Sequence, residues 1–274
     1  MNNIRHIPTL IIAGAGPGDP ELITMKAVSH LRNAEVVITD RLVSEEILSQ
    51  YVPKTALVLH AGKQRFRDGS TPQYIINELL VEYALQGKKV VRLKGGDVSV
   101  FSNLLDELET LKRYHIPYEI IPGITAACGA AAYAGIPLTA RNHAEAVRFL
   151  TLHKATLIPQ AKWKELAATD DTLVFYMSGD TLDELVAQLL AHGIKDDKHI
   201  AVIEQATTPM QNVFCCPLAD YPVHKNSASY VSPSIIVIGR VASLHEKFGW
   251  KPNNRSGELY FKPIKKNQER EERA

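Results

Sequence analysis

Gly14-Ala15-Gly16-Pro17-Gly18-Asp19-Pro20 is the segment whose residue types best suit ligand chemistry. It follows the apolar run Leu10, Ile11, Ile12, Ala13 and precedes a helix-like stretch. Glycines at a strand end let backbone approach a ligand closely. Phosphate is a poor match. A dinucleotide fingerprint needs a third glycine where Asp19 stands, and a P-loop ends in Gly-Lys-Ser/Thr. Asp19 would also repel an anion near a helix N-terminus. A ligand with cationic groups and no phosphate, such as S-adenosylmethionine, suits the loop better. The same residues also read as a plain strand-to-helix turn, with Asp19 as cap and Pro20 as first helical residue.

Other chemistry-bearing residues also follow apolar runs, where open α/β sheets place their ligands. In Arg92-Leu93-Lys94-Gly95-Gly96-Asp97 the paired glycines expose backbone N–H groups, and Asp97 can accept from a ribose hydroxyl or an amine. In Pro122-Gly123-Ile124-Thr125-Ala126, Thr125 either caps the next helix or bonds a ligand. Met177 in Tyr176-Met177-Ser178-Gly179-Asp180 is either core packing or a ligand contact. Asp40-Arg41 and Gly62-Lys63 close two more runs. Taken singly, Asp40 is a turn residue and Lys63 a solvated cation.

These segments need strands and helices to hold them. Leu10–Ala13, Glu35–Thr39, Ala56–Leu59, Lys89–Leu93 and Tyr118–Ile121 read as strands. Glu21–Arg32, Pro72–Leu85 (Thr71 as cap) and Leu104–Tyr114 read as helices between them. A small-residue segment from Ile124 to Ala132 permits a helix packed close to a neighbour. The alternation then restarts with strands at Val147–Thr151, Thr172–Tyr176, Ile200–Ile203, Asn212–Cys215 and Ser234–Ile238. Asp180–His192 reads as a helix capped by Asp180. The pattern predicts an α/β fold in two halves: domains 1–121 and 122–247, then a polar, solvated tail 248–274.

The chain has 274 residues, 45% of them hydrophobic and 22% charged, enough for real cores. A net charge of +1 provides no bulk field for nucleic acid or membrane, so an anionic ligand must be held by local arginines and lysines. Three cysteines, two of them adjacent (Cys215, Cys216), argue against a disulfide framework and for a reducing cytoplasm. No cysteine–histidine spacing suggests a metal site. The polar start, Met1 to Pro8, shows no secretory leader, and no apolar run reaches membrane-spanning length.

Read together, the segments resemble the tetrapyrrole methylases. The matching stretches are GAGPGDPELIT (14–24), DRLVS (40–44), GK (62–63), VVRLKGGD (90–97), PYEIIPGITAA (117–127), GAAAYAGIPLT (129–139), LVFYM (173–177) and SPSIIVIG (232–239). They come in the family's order, and GAGPGDPELIT with GIPLT points to the branch acting on uroporphyrinogen III. The resemblance implies two α/β domains with the active site in the cleft between them, and a homodimer. It implies S-adenosyl-L-methionine as methyl donor, S-adenosyl-L-homocysteine as product, and two methyl transfers, at ring carbons 2 and 7, giving precorrin-2. By motif position, cofactor contacts fall on Pro17, Gly95, Gly96, Asp97, Val100, Thr125, Ala126, Met177 and Ala206. Ala206 stands where the family usually has glycine, so its contact depends on a backbone that tolerates a side chain.

The catalytic candidates implied by the resemblance are Asp40 and Lys63, with Asp106 as a further possible proton acceptor. The substrate-binding candidates are Arg41 and Arg141, with Arg65, Arg92 and Arg148 further choices for the acetate and propionate groups of the substrate. The chain departs from the family after GGD. The usual arginine is Asn103, and the following glycines are Leu104 and Leu105, which predicts a more regular helix. Downstream, the family's Thr-His-Arg-Asp is Thr139-Ala140-Arg141-Asn142. Alternatives keep the fold and change the acceptor to another precorrin or small molecule, or make the chain a non-catalytic adenosyl-ligand sensor. An RNA methyltransferase is disfavoured by the missing basic–aromatic patch. The length is expected to leave out the dehydrogenase/chelatase module of bifunctional sirohaem enzymes.

Overall fold

A computed structural model describes residues 7–61, 72–152, 154–224, 230–254 and 256–261. The chain divides into two units, Met1–Thr125 with Phe261–Ala274, and Ala126–Tyr260.

In the first unit the apolar runs are strands β1 (Leu10–Gly14), β2 (Val36–Asp40), β3 (Leu57–Ala61), β4 (Val90–Lys94) and β5 (Tyr118–Ile121). They pair in the order β3-β2-β4-β1-β5, and every pairing is parallel. All their C-terminal ends therefore lie along one edge. Helices α1 (Met25–Leu31), α2 (Glu45–Tyr51), α3 (Gln73–Leu85) and α4 (Leu104–Arg113) connect them. Because successive strand side chains alternate in direction, the sheet builds two cores. Ile11, Ala13, Val37, Val91 and Leu93 pack with Ala27, Leu31 and Ile47 of α1 and α2. Leu10, Ile12, Val36, Ile38 and Val90 pack with Ile76, Leu80 and Leu111 of α3 and α4. Cover on both faces is why these strands are nearly continuous apolar runs.

The second unit opens with α5 (Ala126–Tyr133). It continues with β6 (Val147–Thr151), α6 (Gln160–Ala168), β7 (Thr172–Tyr176), α7 (Leu182–Ala191), β8 (His199–Glu204), β9 (Asn212–Pro217), α8 (Tyr221–His224), β10 (Ser234–Gly239) and α9 (His245–Phe248). Its sheet, β6-β7-β10-β8-β9, is mixed: only β6 and β7 are parallel. Trp163, Leu166, Leu185, Val186 and Leu189 of α6 and α7 cover Leu173, Phe175, Ile200, Val202, Ile236 and Ile238.

The structure corrects several expectations. The helix expected over Glu21–Arg32 starts at Met25, because Thr24 caps it through a bond from Ala27 N, while Pro20–Leu22 forms a separate 3-10 turn. α7 starts after Thr181 rather than at Asp180. The segment after Trp250 is not simply solvated. Trp250 Nε1 donates to Ala132 O at 2.9 Å, Asn253 Oδ1 accepts from Val213 N at 2.7 Å, and Tyr260 N donates to Gln205 Oε1 at 2.7 Å. Polar groups there pair with α5, with β9 and with the loop after β8.

Candidate functional site

Three loops converge at the C-terminal edge of the first unit's sheet. Gly16 N donates to Gly96 O at 3.1 Å, Gly96 N returns the bond to Gly16 O at 2.8 Å, and Ala15 N donates to Lys94 O at 2.7 Å. The loop after β5 closes on both. A Cβ on Gly123 would stand 2.3 Å from Gly96 O and 2.9 Å from Gly14 Cα, and a Cβ on Gly14 would stand 2.6 Å from Gly96 O. The glycines of three separate motifs thus exist so that three backbones can touch. Pro17, Gly95, Gly96, Asp97, Val100 and Thr125 all lie on these loops. Asp19 does cap the turn at Pro20, accepting from Glu21 N at 2.9 Å.

Asp97 serves the loops themselves. Its Oδ2 accepts from Gly123 N at 2.8 Å, and its Oδ1 accepts from Ser99 N at 2.8 Å and from the Ser99 hydroxyl. Burial opposes ionisation, but the hydrogen bonds from Ser99 and Gly123 outweigh it and hold this carboxyl below the usual range. Asp97 is thus a buried tie between two loops, where the sequence had suggested an acceptor for a ribose hydroxyl or amine.

Beside these loops runs a charged chain that sequence reasoning missed. Arg92 and Lys94, each 2% exposed, project from β4 onto the face covered by α3 and α4. Glu107 of α4 is fully buried, and its Oε1 accepts from Arg92 Nε at 2.9 Å and Lys94 Nζ at 2.8 Å. Among the described residues its Oε2 has no hydrogen-bond partner. The other end of Arg92 reaches β2: Nη2 meets Asp40 Oδ1 at 2.5 Å, and Nη1 donates to Ile38 O at 3.2 Å. Burial, then the adjacent Arg92 charge, push the Lys94 ammonium below its ordinary value against the pull of Glu107 and Asp40. The network was legible in one respect. Leu104, Glu107, Leu108 and Leu111 share a helical stripe, so Glu107 had to face the core.

The placement of the other candidates follows. Asp40 stands at the C-terminal end of β2 with its side chain 32% exposed, in contact with Arg92. Arg41 is half-buried, which lowers its guanidinium below the ordinary value. Asp106 is exposed in the first turn of α4, next to the buried Glu107. Arg92 is spent on Asp40 and Glu107, and so is no candidate for substrate carboxylates. Arg148 is likewise spent on Asp171 and Glu165, both at 2.5 Å. Lys63 and Arg65 lie outside the described residues. As expected, a regular helix begins at Leu104, but Asn103 precedes it in a left-handed conformation (φ 54°), as does Phe101 (φ 51°).

In the second unit, Met177 and Ala206 follow β7 and β8 at one edge of the sheet. Ile235 of β10 is in register with both Tyr176 and Ile203. Ala126 joins them, because the Tyr176 hydroxyl accepts from Ala127 N at 3.0 Å at the start of α5. Met177 has φ 53° and is 58% exposed, so its side chain is not core packing. The substitution of Ala206 for glycine has a simple explanation. The left-handed residues are its neighbours Gln205 (φ 46°) and Thr207 (φ 68°), and Ala206 is not among the positive-φ residues. The strained pair is braced: Gln205 N donates to Pro233 O at 2.8 Å, and Thr207 N donates to Gln211 Oε1 at 2.8 Å. Arg141 is exposed in a turn near the opposite end of this sheet. Ala146 O there accepts from Thr172 N at 2.9 Å, so the structure does not bring Arg141 beside Met177 and Ala206.

Among the described residues there is no cluster of histidine, cysteine or carboxylate side chains suited to a metal, and no helix is long and apolar enough to cross a membrane. Residues 9–222 match the family model described as Tetrapyrrole (Corrin/Porphyrin) Methylases. A siroheme synthase of Nitrosomonas europaea is 43% identical over 251 residues, covering 91% of this chain and 52% of that protein. The chain spans about half the length of the curated relatives it matches. A crystal structure of uroporphyrin-III-C-methyltransferase from Thermus thermophilus is similar at 31% identity and TM-score 0.73, covering 89% of this chain and 97% of that one. A complex of the Thermus thermophilus methyltransferase with S-adenosyl homocysteine is similar at 30% identity and TM-score 0.71, covering 86% of this chain and all of that one.

Proposed function

The chain belongs to the tetrapyrrole methylase family, and from that premise we propose that it transfers methyl groups from S-adenosyl-L-methionine to carbons 2 and 7 of uroporphyrinogen III, giving precorrin-2. The observation that carries this reading is the backbone-to-backbone closure of the loops holding Gly14, Gly96 and Gly123 at the C-terminal edge of the parallel sheet. Open α/β sheets bind ligands at that edge. The residues there fit a sulfonium donor and not a phosphate. Gly14–Pro20 holds no lysine and does hold Asp19, while the nearby cations Arg92 and Lys94 are buried against Glu107 and Asp40.

Pro17, Gly95, Gly96, Val100 and Thr125 are proposed to hold the donor through backbone groups, with Asp97 fixing the loops that present them. In the second unit, Ala126, Met177 and Ala206 are proposed as further contacts to the adenosyl portion. When bound, the donor supplies an electrophilic methyl group. The protein's task is then to hold that group in line with an electron-rich pyrrole carbon, since orientation alone is worth an effective molarity on the order of 10⁵ M or more. The methylated ring must lose a proton, and Asp40, partly exposed at a strand end, is proposed to accept it directly or through water. Arg41 and Lys63 are proposed to pair with substrate carboxylates, Asp106 is proposed as an alternative proton acceptor, and the active form is proposed to be a cytoplasmic homodimer.

The test is to incubate the purified protein with S-adenosyl-L-methionine and uroporphyrinogen III and to follow the absorbance of the dimethylated product. Product formation supports the reading. Methylation of a later precorrin in its place, or cofactor binding without turnover, rejects it.

A further inference from the structure

We propose that Glu107 is a positioning residue for Asp40, acting through Arg92. The inference rests on the reading of Asp40 as proton acceptor and extends it to a buried group with no other assigned role. Three observations support it. First, Glu107 is fully buried on α4 yet spends a single oxygen on two cations, leaving Oε2 without a partner among the described residues. A buried group of two cations and a carboxylate is an unfavourable choice for packing alone, because replacing all of its members by apolar residues of similar volume is often as stable.

Second, the contacts run in series. Glu107 Oε1 holds Arg92 Nε at 2.9 Å, and the far end of the same guanidinium holds Asp40 Oδ1 at 2.5 Å. The guanidinium is planar, so fixing Nε fixes where Nη2 points. Third, the charges balance over four groups, two cations against two carboxylates. Without Glu107, Arg92 and Lys94 would face only Asp40, and its carboxylate would be drawn toward both.

The experiment is a double-mutant cycle read by single-turnover methyl transfer to uroporphyrinogen III, with S-adenosyl-L-homocysteine affinity measured by calorimetry. Glu107→Gln should slow transfer by at least about tenfold, as expected when a proton acceptor is misplaced. Cofactor affinity should stay within about twofold. The double variant Asp40→Asn/Glu107→Gln should be no slower than Asp40→Asn alone, because groups acting as one unit are not additive. Independent, multiplying losses overturn the proposal, as does an Asp40→Asn variant with the wild-type rate.

If Glu107→Gln fails to fold, Glu107→Leu/Lys94→Met keeps the buried charge balanced while removing the anchor on Arg92 Nε. It should fall to the rate of Asp40→Asn, and a wild-type rate overturns the proposal. A crystal structure of the folded variant gives a readout independent of activity: Asp40 displaced from its present contact with Arg92 supports positioning, and an unchanged contact refutes it. A wild-type protein that methylates nothing would sink the proposed function, while the crystal structure would still decide the role of Glu107.

Discussion

Gly123 lacks a side chain because there is no volume for one. The position its Cβ would take is filled by Gly96 O at 2.3 Å and by Gly14 backbone at 2.9 Å, none of which is a flexible side-chain tip. Gly123→Ala must therefore push the loops after β1, β4 and β5 apart. It should cost about 2–3 kcal/mol in chemical denaturation, near the upper end for overpacking. It should also weaken S-adenosyl-L-homocysteine binding if those loops hold the donor. Gly179→Ala is the control, since its Cβ would meet only the Ser234 hydroxyl at 3.2 Å, which can move aside. Equal destabilisation by both would mean that the close approach at Gly123 is not what makes glycine necessary. The glycines of these motifs were visible in the sequence. Their partners were not, because Gly14, Gly96 and Gly123 are far apart along the chain. The same distance hid the buried charges. Arg92 and Glu107 are 15 positions apart and belong to different elements, so only the fold reveals that they meet.

Several helices end in one way. At the end of α3, Gly87 N donates to Ala84 O at 2.9 Å and Lys88 N to Tyr83 O at 3.1 Å; at the end of α7, Gly193 N donates to Leu190 O and Ile194 N to Leu189 O, both at 3.1 Å. Gly135 closes α5 with the same pattern, and all three glycines have φ between 68° and 78°. This is the left-handed stop that favours glycine. α4 ends likewise, with Ile116 N donating to Leu111 O at 2.9 Å, but the left-handed residue is His115 at φ 55°. A side chain there costs about 1–2 kcal/mol, partly offset by the greater unfolded-state freedom of glycine. His115→Gly, at an exposed site, should therefore stabilise the protein by about 0.5–1 kcal/mol in denaturant titration. A loss of stability would show that the imidazole makes a contact outweighing its backbone strain. The same physics decided what was legible. Strands covered on both faces read as apolar runs and fell within a residue or two of their observed bounds. The short α2, only seven residues with two glutamates at its start, carried too few turns for its period to show. The start of α1 is not legible in the sequence because Asp19 and Pro20, good helix openers, serve a separate 3-10 turn first.

At the scale of the molecule, charge constrains how an acidic substrate can be recognised. The formal net charge is +1, from 31 basic and 30 acidic residues, and part of that charge is paired among the described residues. Asp170 alone meets Lys195, Lys198 and Arg240. A substrate bearing acetate and propionate groups therefore feels no strong long-range attraction, and discrimination must come from a few cations at contact distance. Contact pairs are screened far less than pairs separated by more than a Debye length, which is about 10 Å at 0.1 M ionic strength. Raising salt from about 0.05 to 0.3 M should therefore lower kcat/KM for uroporphyrinogen III by less than about tenfold, with little change in kcat. Arg41→Ala should raise KM at every salt concentration if that residue meets the carboxylates, whereas Arg141→Ala, at the opposite end of the second unit's sheet, should leave KM unchanged. A fall of hundredfold or more across the same salt range would mean that capture relies on a concentrated basic surface.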